Sequence, residues 1–459
     1  MNNFSISDLP KGAYIHMIGI GGISMSGIAE MLLNFGYKVS GSDAKPSGLT
    51  DRLKQNGAEI FIGQSADNIK NPDAVCYTAA ISPDNPELVK AKTLGIPVVE
   101  RAVFLGALLE KYKYPIAVAG THGKTTTSSM LSLVLLAAHK DPTILIGGEL
   151  SQIGGNYHIG GNEYLPFEAC EYVESFLHFK PFVSIITNIE EDHLDYFKDL
   201  NHIITSFVKF ASLTSDNGCN IVCIDENTTQ SIVQNVKKKA VTYALNNKNA
   251  DYTAENITLE KNGCPTFDIF NKDRKVLSVS LNVAGDHNIC NALGVTAACE
   301  FLGIEPEYIK SGLEEFRGAK RRFDRLGKTE TGVDVVDDYA HHPTEIKTTL
   351  ETAKKMGYNN VWVAFQPHTY TRTAAFLEQF ASALKTADRV MITDIYPARE
   401  KYAVPMHACD LARLIPGVVY MNDMDAMKRY ILSNAKPGDL VITMGAGNIC
   451  DLGYSLTQK

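Results

Sequence analysis

The chain of 459 residues has one tryptophan, no Cys-x-x-Cys pair and no excess of positive charge. It also has no uninterrupted apolar run of the roughly 18 residues that a membrane helix needs, and the longest candidate, Met130 to Ala138, is too short. The opening MNNFSISDLPKG lacks a basic-then-apolar secretory pattern. Lys plus Arg number 44 against 52 Asp plus Glu, a net charge of −8, which argues against non-specific binding to nucleic acid or a membrane surface but leaves room for local phosphate pockets. Nine cysteines, an odd number without metal-finger spacing, read as reduced thiols in a cytoplasmic protein. Cys219 and Cys223, the closest pair, read as packing in a strand or loop rather than as a metal site. What remains is ordinary globular composition, 45% apolar and 21% charged, at a length suited to about three domains.

The residues Ala13 to Gly19 read as a strand running into glycines, followed by a helix from Ser24 to Asn34 and a second strand from Val39 to Asp43. Short apolar runs at Ala74 to Tyr77 and Pro97 to Val99 continue the alternation, which predicts a parallel sheet covered by helices. A second system starts near Pro115, where IAVAG meets THGKTTT and an apolar helix to about Ala138, and includes a strand from Phe182 to Thr187. The stretch from Asn227 to Ser280 reads as appended β structure, and Lys237 to Lys239 as a solvated face. After the basic RGAKRRFD a third alternation has strands at Asp334 to Asp337, Val361 to Phe365, Arg389 to Ile392 and Leu440 to Met444. Each is followed by a polar cluster: DYAHHP, QPHTYTR, TDIYPARE and GAGN. Ligands of open α/β sheets bind beyond the carboxyl ends of strands, so these clusters mark a site. The expected fold is α/β with three domains: Rossmann-like over 1–107, P-loop ATPase-like with a parallel sheet and appended β structure over 108–316, and Rossmann-like over 317–459.

The strongest motif is Gly120-Thr121-His122-Gly123-Lys124-Thr125-Thr126, between a buried-type strand and a helix. Backbone amides of such a loop can hold phosphates, Lys124 can reach the terminal phosphates, and the Thr125 hydroxyl can bind magnesium. Val118 stands where the strict pattern has a glycine, and a tight turn with a surface lysine is the alternative. The run from Gly19 to Gly27 is similar to a dinucleotide fingerprint with Ser24 in place of the third glycine. Its turn could hold a diphosphate and Asp43 a ribose hydroxyl, or it could be a turn without ligand. FEACEYVESF supplies Glu168, Glu171 and Glu174, and TNIEEDHLDYF supplies Asn188, Asp192, His193 and Asp195; such carboxylates suit magnesium. Asn288 and Asn291 share a helical face and could read an adenine edge or cap the helix. Arg321, Arg322, Asp338, Tyr339, His341, His342, His368, Tyr370 and Arg372 gather at the third set of strand ends, where arginines fit acidic substrate groups.

Taken in order, GTHGKTTT, TNI..DH, HNxxN, RRF, DDYAHHPTE and GAGN resemble the Mur ligase family from Gly19 to Asn448. IGIGGISMSG, YTAAIS and QPHTYTRT look most like the branch that joins L-alanine to UDP-N-acetylmuramate. The resemblance implies ATP and magnesium, two ions in the closed complex, and reaction through an acyl phosphate. It implies Lys124, His193, Tyr339, His341 and Arg372 as catalytic residues, and Thr125, Glu168 and His193 as the metal set. ATP is implied on Gly120 to Thr126, Asn288, Asn291, Arg322 and Asp338. The uridine nucleotide is implied on Gly21, Gly22, Ser42, Asp43, Thr78 and Ala79. Domain closure, a monomer or weak homodimer, and no membrane or nucleic-acid partner complete the expectation.

Three positions depart from family patterns. Phe207 stands where later-acting ligases carry a carbamylated lysine, with Lys209 out of register, so no modified lysine is expected. Gln64 replaces a uracil-side histidine, and EACEYVES replaces EADESD, which leaves Glu168 as a ligand but gives Glu171 and Glu174 no role. His193 and His341 are candidates for the acceptor of the amine proton. The rival within the family is a recycling ligase that attaches a tripeptide to the same sugar nucleotide. An NAD-dependent oxidoreductase would leave GTHGKTTT and HNICN without a role.

Overall fold

A computed structural model describes residues 4–78, 80–398, 400 and 404–458; Ala79, expected beside the uridine nucleotide, lies outside them. Three sheets follow one another along the chain. The first has five parallel strands in the spatial order Glu59–Ile62, Lys38–Asp43, Tyr14–Ile18, Ala74–Tyr77, Val98–Glu100. The order reverses between Tyr14–Ile18 and Ala74–Tyr77, so their carboxyl ends open a crevice at the switch point. Gly19 to Gly22 follow one strand there and Thr78 the other.

The second sheet has ten strands. At its centre Tyr114–Ala119 lies between Val183–Ile186 and Tyr164–Glu168, all parallel. Strand ends therefore place Gly120, Thr187 and Glu168 along one edge. At one side an antiparallel meander of Tyr252–Leu259, Pro265–Asn271 and Arg274–Ser280 completes the sheet. The residues from Asn227 begin differently from expectation: Asn227–Asn235 is a helix, because Thr229 and Ile232 face inward at helical spacing. At the other side an antiparallel hairpin, Ile144–Leu150 with Gly155–His158, reaches the first domain. Its Asn156 donates to the Ile23 carbonyl at 3.0 Å, and the Tyr157 hydroxyl donates to Glu30 at 3.2 Å. These two bonds hold the helix Ile23–Asn34, whose start is the glycine turn.

The third sheet sets Asp334–Asp338 and Val361–Phe365 on either side of Leu440–Met444, with Arg389–Ile392 and Val419–Tyr420 beyond and antiparallel Asp324–Lys328 at the opposite edge. Val361–Phe365 and Leu440–Met444 are buried at every residue, which is why they appear in the sequence as continuous apolar runs. The single tryptophan, Trp362, is buried here and donates its ring N–H to Asp439 at 3.1 Å. No helix among the described residues is long and apolar enough to cross a membrane.

The phosphate-loop helix Lys124–Ala137 is packed by the helix Pro306–Glu315 at a backbone approach that only glycine permits. A Cβ on Gly312 would stand 2.4 Å from Val134 Cα. Gly312→Ala is therefore expected to lower unfolding free energy by about 1–3 kcal/mol, the range for overpacking. Urea unfolding followed by circular dichroism measures it, and an unchanged midpoint would show that the two helices can separate freely.

Candidate active site

The loop from Gly120 to Gly123 ends in a helix with no side-chain cap, so the first amides of Lys124–Ala137 are left for an anion. Gly123 takes φ 82°, a left-handed conformation that favours glycine, and a Cβ there would lie 3.0 Å from Asn291 Oδ1. The loop is shaped from the next strand end. Thr187 Oγ1 and Asn188 Nδ2 both donate to the His122 carbonyl, at 2.6 and 3.1 Å, while the His122 amide donates to Asn188 Oδ1 at 2.8 Å. Thr121 accepts from the Glu190 amide at 2.9 Å. The Thr-Asn of TNIEEDH thus braces the phosphate loop, and the Thr121 hydroxyl is engaged in the same brace.

Lys124 folds back on its own loop, donating to the Gly120 and Thr121 carbonyls and to Glu171 Oε2 at 2.9 Å. Burial opposes its charge, but the Glu171 carboxylate outweighs it and raises the ammonium pKa. Glu171, only 2% exposed, is therefore the carboxylate that holds the lysine. Glu168 lies against the hairpin instead. It accepts from the Gly147 amide and, at 3.4 Å, from Ser128. A Cβ on Gly147 would meet Glu168, and one on Gly148 would meet Thr125, so the two expected metal ligands flank one glycine pair. Hard oxygen donors of this kind suit magnesium. His193 stands apart from them: its ring packs on Tyr172 at 4.5 Å, its φ is 53°, and its Nε2 lies 3.7 Å from Asp192. No hydrogen bond among the described residues joins it to Thr125 or Glu168.

A cavity of about 680 Å³ runs between the middle and third domains, lined by Gly123, Thr126, Asn288, Asn291, Arg322 and Asp338 among others. Asn288 and Asn291 lie in the first turns of Asp286–Phe301, linked by a bond of 3.2 Å, and Asn288 also donates to the Ala284 carbonyl at 2.7 Å. Asp338 accepts from the Ala340 and Phe323 amides, and burial raises its carboxyl pKa to about 6 despite Arg322 nearby.

Where the domains meet, the His122 ring lies between Glu190 at 3.3 Å and Glu345 at 3.2 Å, with the His342 ring 4.7 Å away and Arg322 Nη1 3.7 Å from the same Glu345 oxygen. Burial alone would lower the His122 pKa; the Glu345 and Glu190 carboxylates reverse this and lift it to about 9. His342 gives its Nε2 proton to the Glu191 carbonyl and accepts from the Thr344 amide, so its ring is neutral. Arg372 donates from Nε and Nη2 to Asp192 Oδ1, at 3.1 and 2.8 Å, in a nearly buried pair that holds the Asp192 pKa well down against burial. His341 donates Nδ1–H to the Tyr339 carbonyl at 3.0 Å, and burial lowers its pKa to about 4. The Tyr339 ring lies under the Arg321 and Arg322 guanidiniums at 4.9 and 5.0 Å. Arg321 donates to the carbonyls of Gly445 and Gly447, which ties the RRF segment to GAGN.

In the first domain the Gly21 amide donates to Asp43 Oδ2 at 2.9 Å, and Gly22 is exposed at the crevice. The Ser42 hydroxyl turns inward, fully buried, and donates to Glu87. The edge thus presents the Asp43 side chain, while that of Ser42 falls on the covered face of the strand. Gln64 accepts from Asn85 at 2.6 Å.

Comparison with known proteins places all three sheets in one family. Its models match in order: the Mur ligase family catalytic domain over residues 14–113, the Mur ligase middle domain over 118–299, and the Mur ligase glutamate ligase domain over 321–447. The chain belongs to the Mur ligase family. It is 50% identical over 457 residues, 99% of this chain and 97% of the relative, to the UDP-N-acetylmuramate--L-alanine ligase of Acetivibrio thermocellus. That of Alkaliphilus metalliredigens is 48% identical over 95% of each chain. Among solved structures, the UDP-N-acetylmuramate-alanine ligase of Thermotoga maritima superposes with TM-score 0.80 at 31% identity, covering 97% of this chain and 98% of that one. A murein peptide ligase from Psychrobacter arcticus superposes with TM-score 0.73 at 26% identity, covering 97% and 98%.

Within this Mur ligase the departure at Phe207 has a packing basis. Its ring is fully buried, edge-on to Phe176 at 5.1 Å, whereas Lys209 is exposed beside Glu174. An ammonium at 207 would enter hydrocarbon.

The raised pKa of His122 sets a pH window. The unfolded ring titrates at about 6.5, so the contribution of the clasp is fully present below that value and is lost as pH rises through about 9. Melting temperature should fall over this range in the native chain and fall less in Glu345→Gln; parallel profiles would exclude His122 as the group responsible. Arg372→Ala should leave Asp192 buried without its partner and be destabilising by about 3–5 kcal/mol. Asp192→Asn should recover much of that loss in the double variant, and strictly additive melting shifts would mean that the pair does not couple the domains.

Proposed function

We propose that the chain joins L-alanine to the lactyl carboxylate of UDP-N-acetylmuramate, with ATP giving ADP and phosphate, in the synthesis of peptidoglycan precursors. Half of its residues are identical to L-alanine ligases over nearly its whole length, and this observation carries the reading. A carboxylate is a poor electrophile, so the γ-phosphoryl group is transferred to it first; the alanine amine then attacks the acyl phosphate, and phosphate leaves as the amide forms.

The loop amides and Lys124 hold the phosphates of ATP, for which the lysine must exchange a loop carbonyl or Glu171 for a phosphate oxygen. Asn288, Asn291, Arg322 and Asp338 line the rest of the nucleotide. Thr125 and Glu168 would hold magnesium, which would supply charge neutralisation at the transferring phosphoryl group. His193 would hold a second ion. Gly21, Gly22, Asp43 and Thr78 receive the uridine nucleotide at the switch-point crevice. Arg372 and Tyr339 belong to the amino-acid side. His341 presents an unprotonated Nε2 there, but a group that burial lowers to about 4 is too weak a base to take a proton from the α-ammonium of free alanine. It accepts a hydrogen bond from the amine, which enters deprotonated. We place the enzyme in the cytoplasm, where its nucleotide substrates and free thiols fit, as a monomer or weak homodimer.

Phosphate release with ATP, magnesium and UDP-N-acetylmuramate should require L-alanine, and mass spectrometry should detect the new amide. Release only with the recycling tripeptide would move the enzyme to the other branch, and silence with every acceptor would refute the ligase reading. Lys124→Ala should reduce release by at least about 100-fold, some 2.7 kcal/mol of transition-state stabilisation, with sugar-nucleotide affinity nearly unchanged.

A further inference from the structure

The nucleotide-side cavity has one wall that this chemistry leaves idle. The strand Cys219–Cys223 ends beside the helix Asp286–Phe301, bringing the Cys223 and Cys290 sulfurs to 3.5 Å. Asp225 Oδ2 lies 4.0 Å from each of them. All three residues line the cavity, and both thiols are free. The three donor atoms lie within 4.8 Å of one another.

This spacing matches a coordination polyhedron. Two thiolates about 2.3 Å from one tetrahedral ion stand about 3.8 Å apart, and a thiolate and a carboxylate oxygen about 3.6 Å apart. The observed separations differ from these by a few tenths of an ångström. The carboxylate is already oriented: Oδ1 accepts from the Asn246 and Asn247 amides at 2.8 and 3.0 Å, and Oδ2 from the Leu245 amide at 2.8 Å. Backbone support of this kind is what fixes a metal ligand in place. Sulfur selects soft cations, in contrast to the oxygen donors Thr125 and Glu168.

We propose that Cys223, Asp225 and Cys290 form a site for a thiophilic divalent cation of the zinc class, separate from the magnesium position. On binding, each S–H bond breaks, two sulfur–metal bonds form, and two protons pass to solvent; Asp225 is the third ligand and water the fourth. Because the thiols lose their protons on binding the cation, apparent affinity rises with pH.

The test is titration of the full, reduced, chelator-stripped chain with Co²⁺ as a spectroscopic probe, without nucleotide. One equivalent should give sulfur-to-cobalt charge-transfer absorption, release two protons and be displaced by Zn²⁺. Cys290→Ala and Cys223→Ser should each abolish the band, while Cys450→Ser, in the third domain, should keep it. Because Cys223 is buried in a strand, its variant counts only with an unchanged circular dichroism spectrum, and Cys290→Ala decides otherwise. No band at one equivalent, or a band that survives in Cys290→Ala, would overturn the site.

Discussion

Between Glu190 of the middle domain and Glu345 of the third, the His122 ring supplies the positive charge that lets two carboxylates approach the phosphate loop from opposite sides. Two like charges facing one another across a neutral ring repel, so without the imidazolium the third domain would be opposed at this point. Arg372 and Asp192 repeat the arrangement with the signs exchanged, the cation now on the third domain. Docking of that domain depends on both, and with it the cavity walls.

The parts of the site are positioned by strand ends rather than by a shared local motif. Three adjacent parallel strands of the middle sheet deliver the phosphate loop, Glu168 and the Thr187-Asn188 brace to one edge, and two strands flanking Leu440–Met444 deliver Asp338 and Gln366 to another. Because the reacting groups are anionic, each edge carries its own cations: Lys124 on one, Arg322 and Arg372 on the other. Neither edge encloses the cavity alone, so water is excluded only when the domains meet.

Much of this was legible in the sequence where a local physical signal existed. Val361–Phe365, Arg389–Ile392 and Leu440–Met444 are short apolar runs with polar ends, and the structure has them at the expected residues. The glycine-bounded loop before an apolar helix was equally plain. The hairpin Ile144–His158 carried no such signal, since glycines and polar residues interrupt its alternation. Asn227–Asn235 has too few apolar residues to show its helical period against a β-rich flank. Pairings were the least legible: Glu171 lies 47 residues from Lys124, and Arg372 lies 180 from Asp192, separations at which sequence spacing carries no geometry. Ser42 shows the limit from the other side, because alternation in a strand decides which of two neighbouring polar residues faces the crevice.

The hairpin has one further consequence. At its far end Asn156 and Tyr157 grip the helix that begins at the first domain's glycine turn, and on its other strand Gly147 grips Glu168. The first domain's glycine turn and the Glu168 carboxylate beside the phosphate loop are thus opposite ends of one short lever, and the hairpin ties the position of one to that of the other.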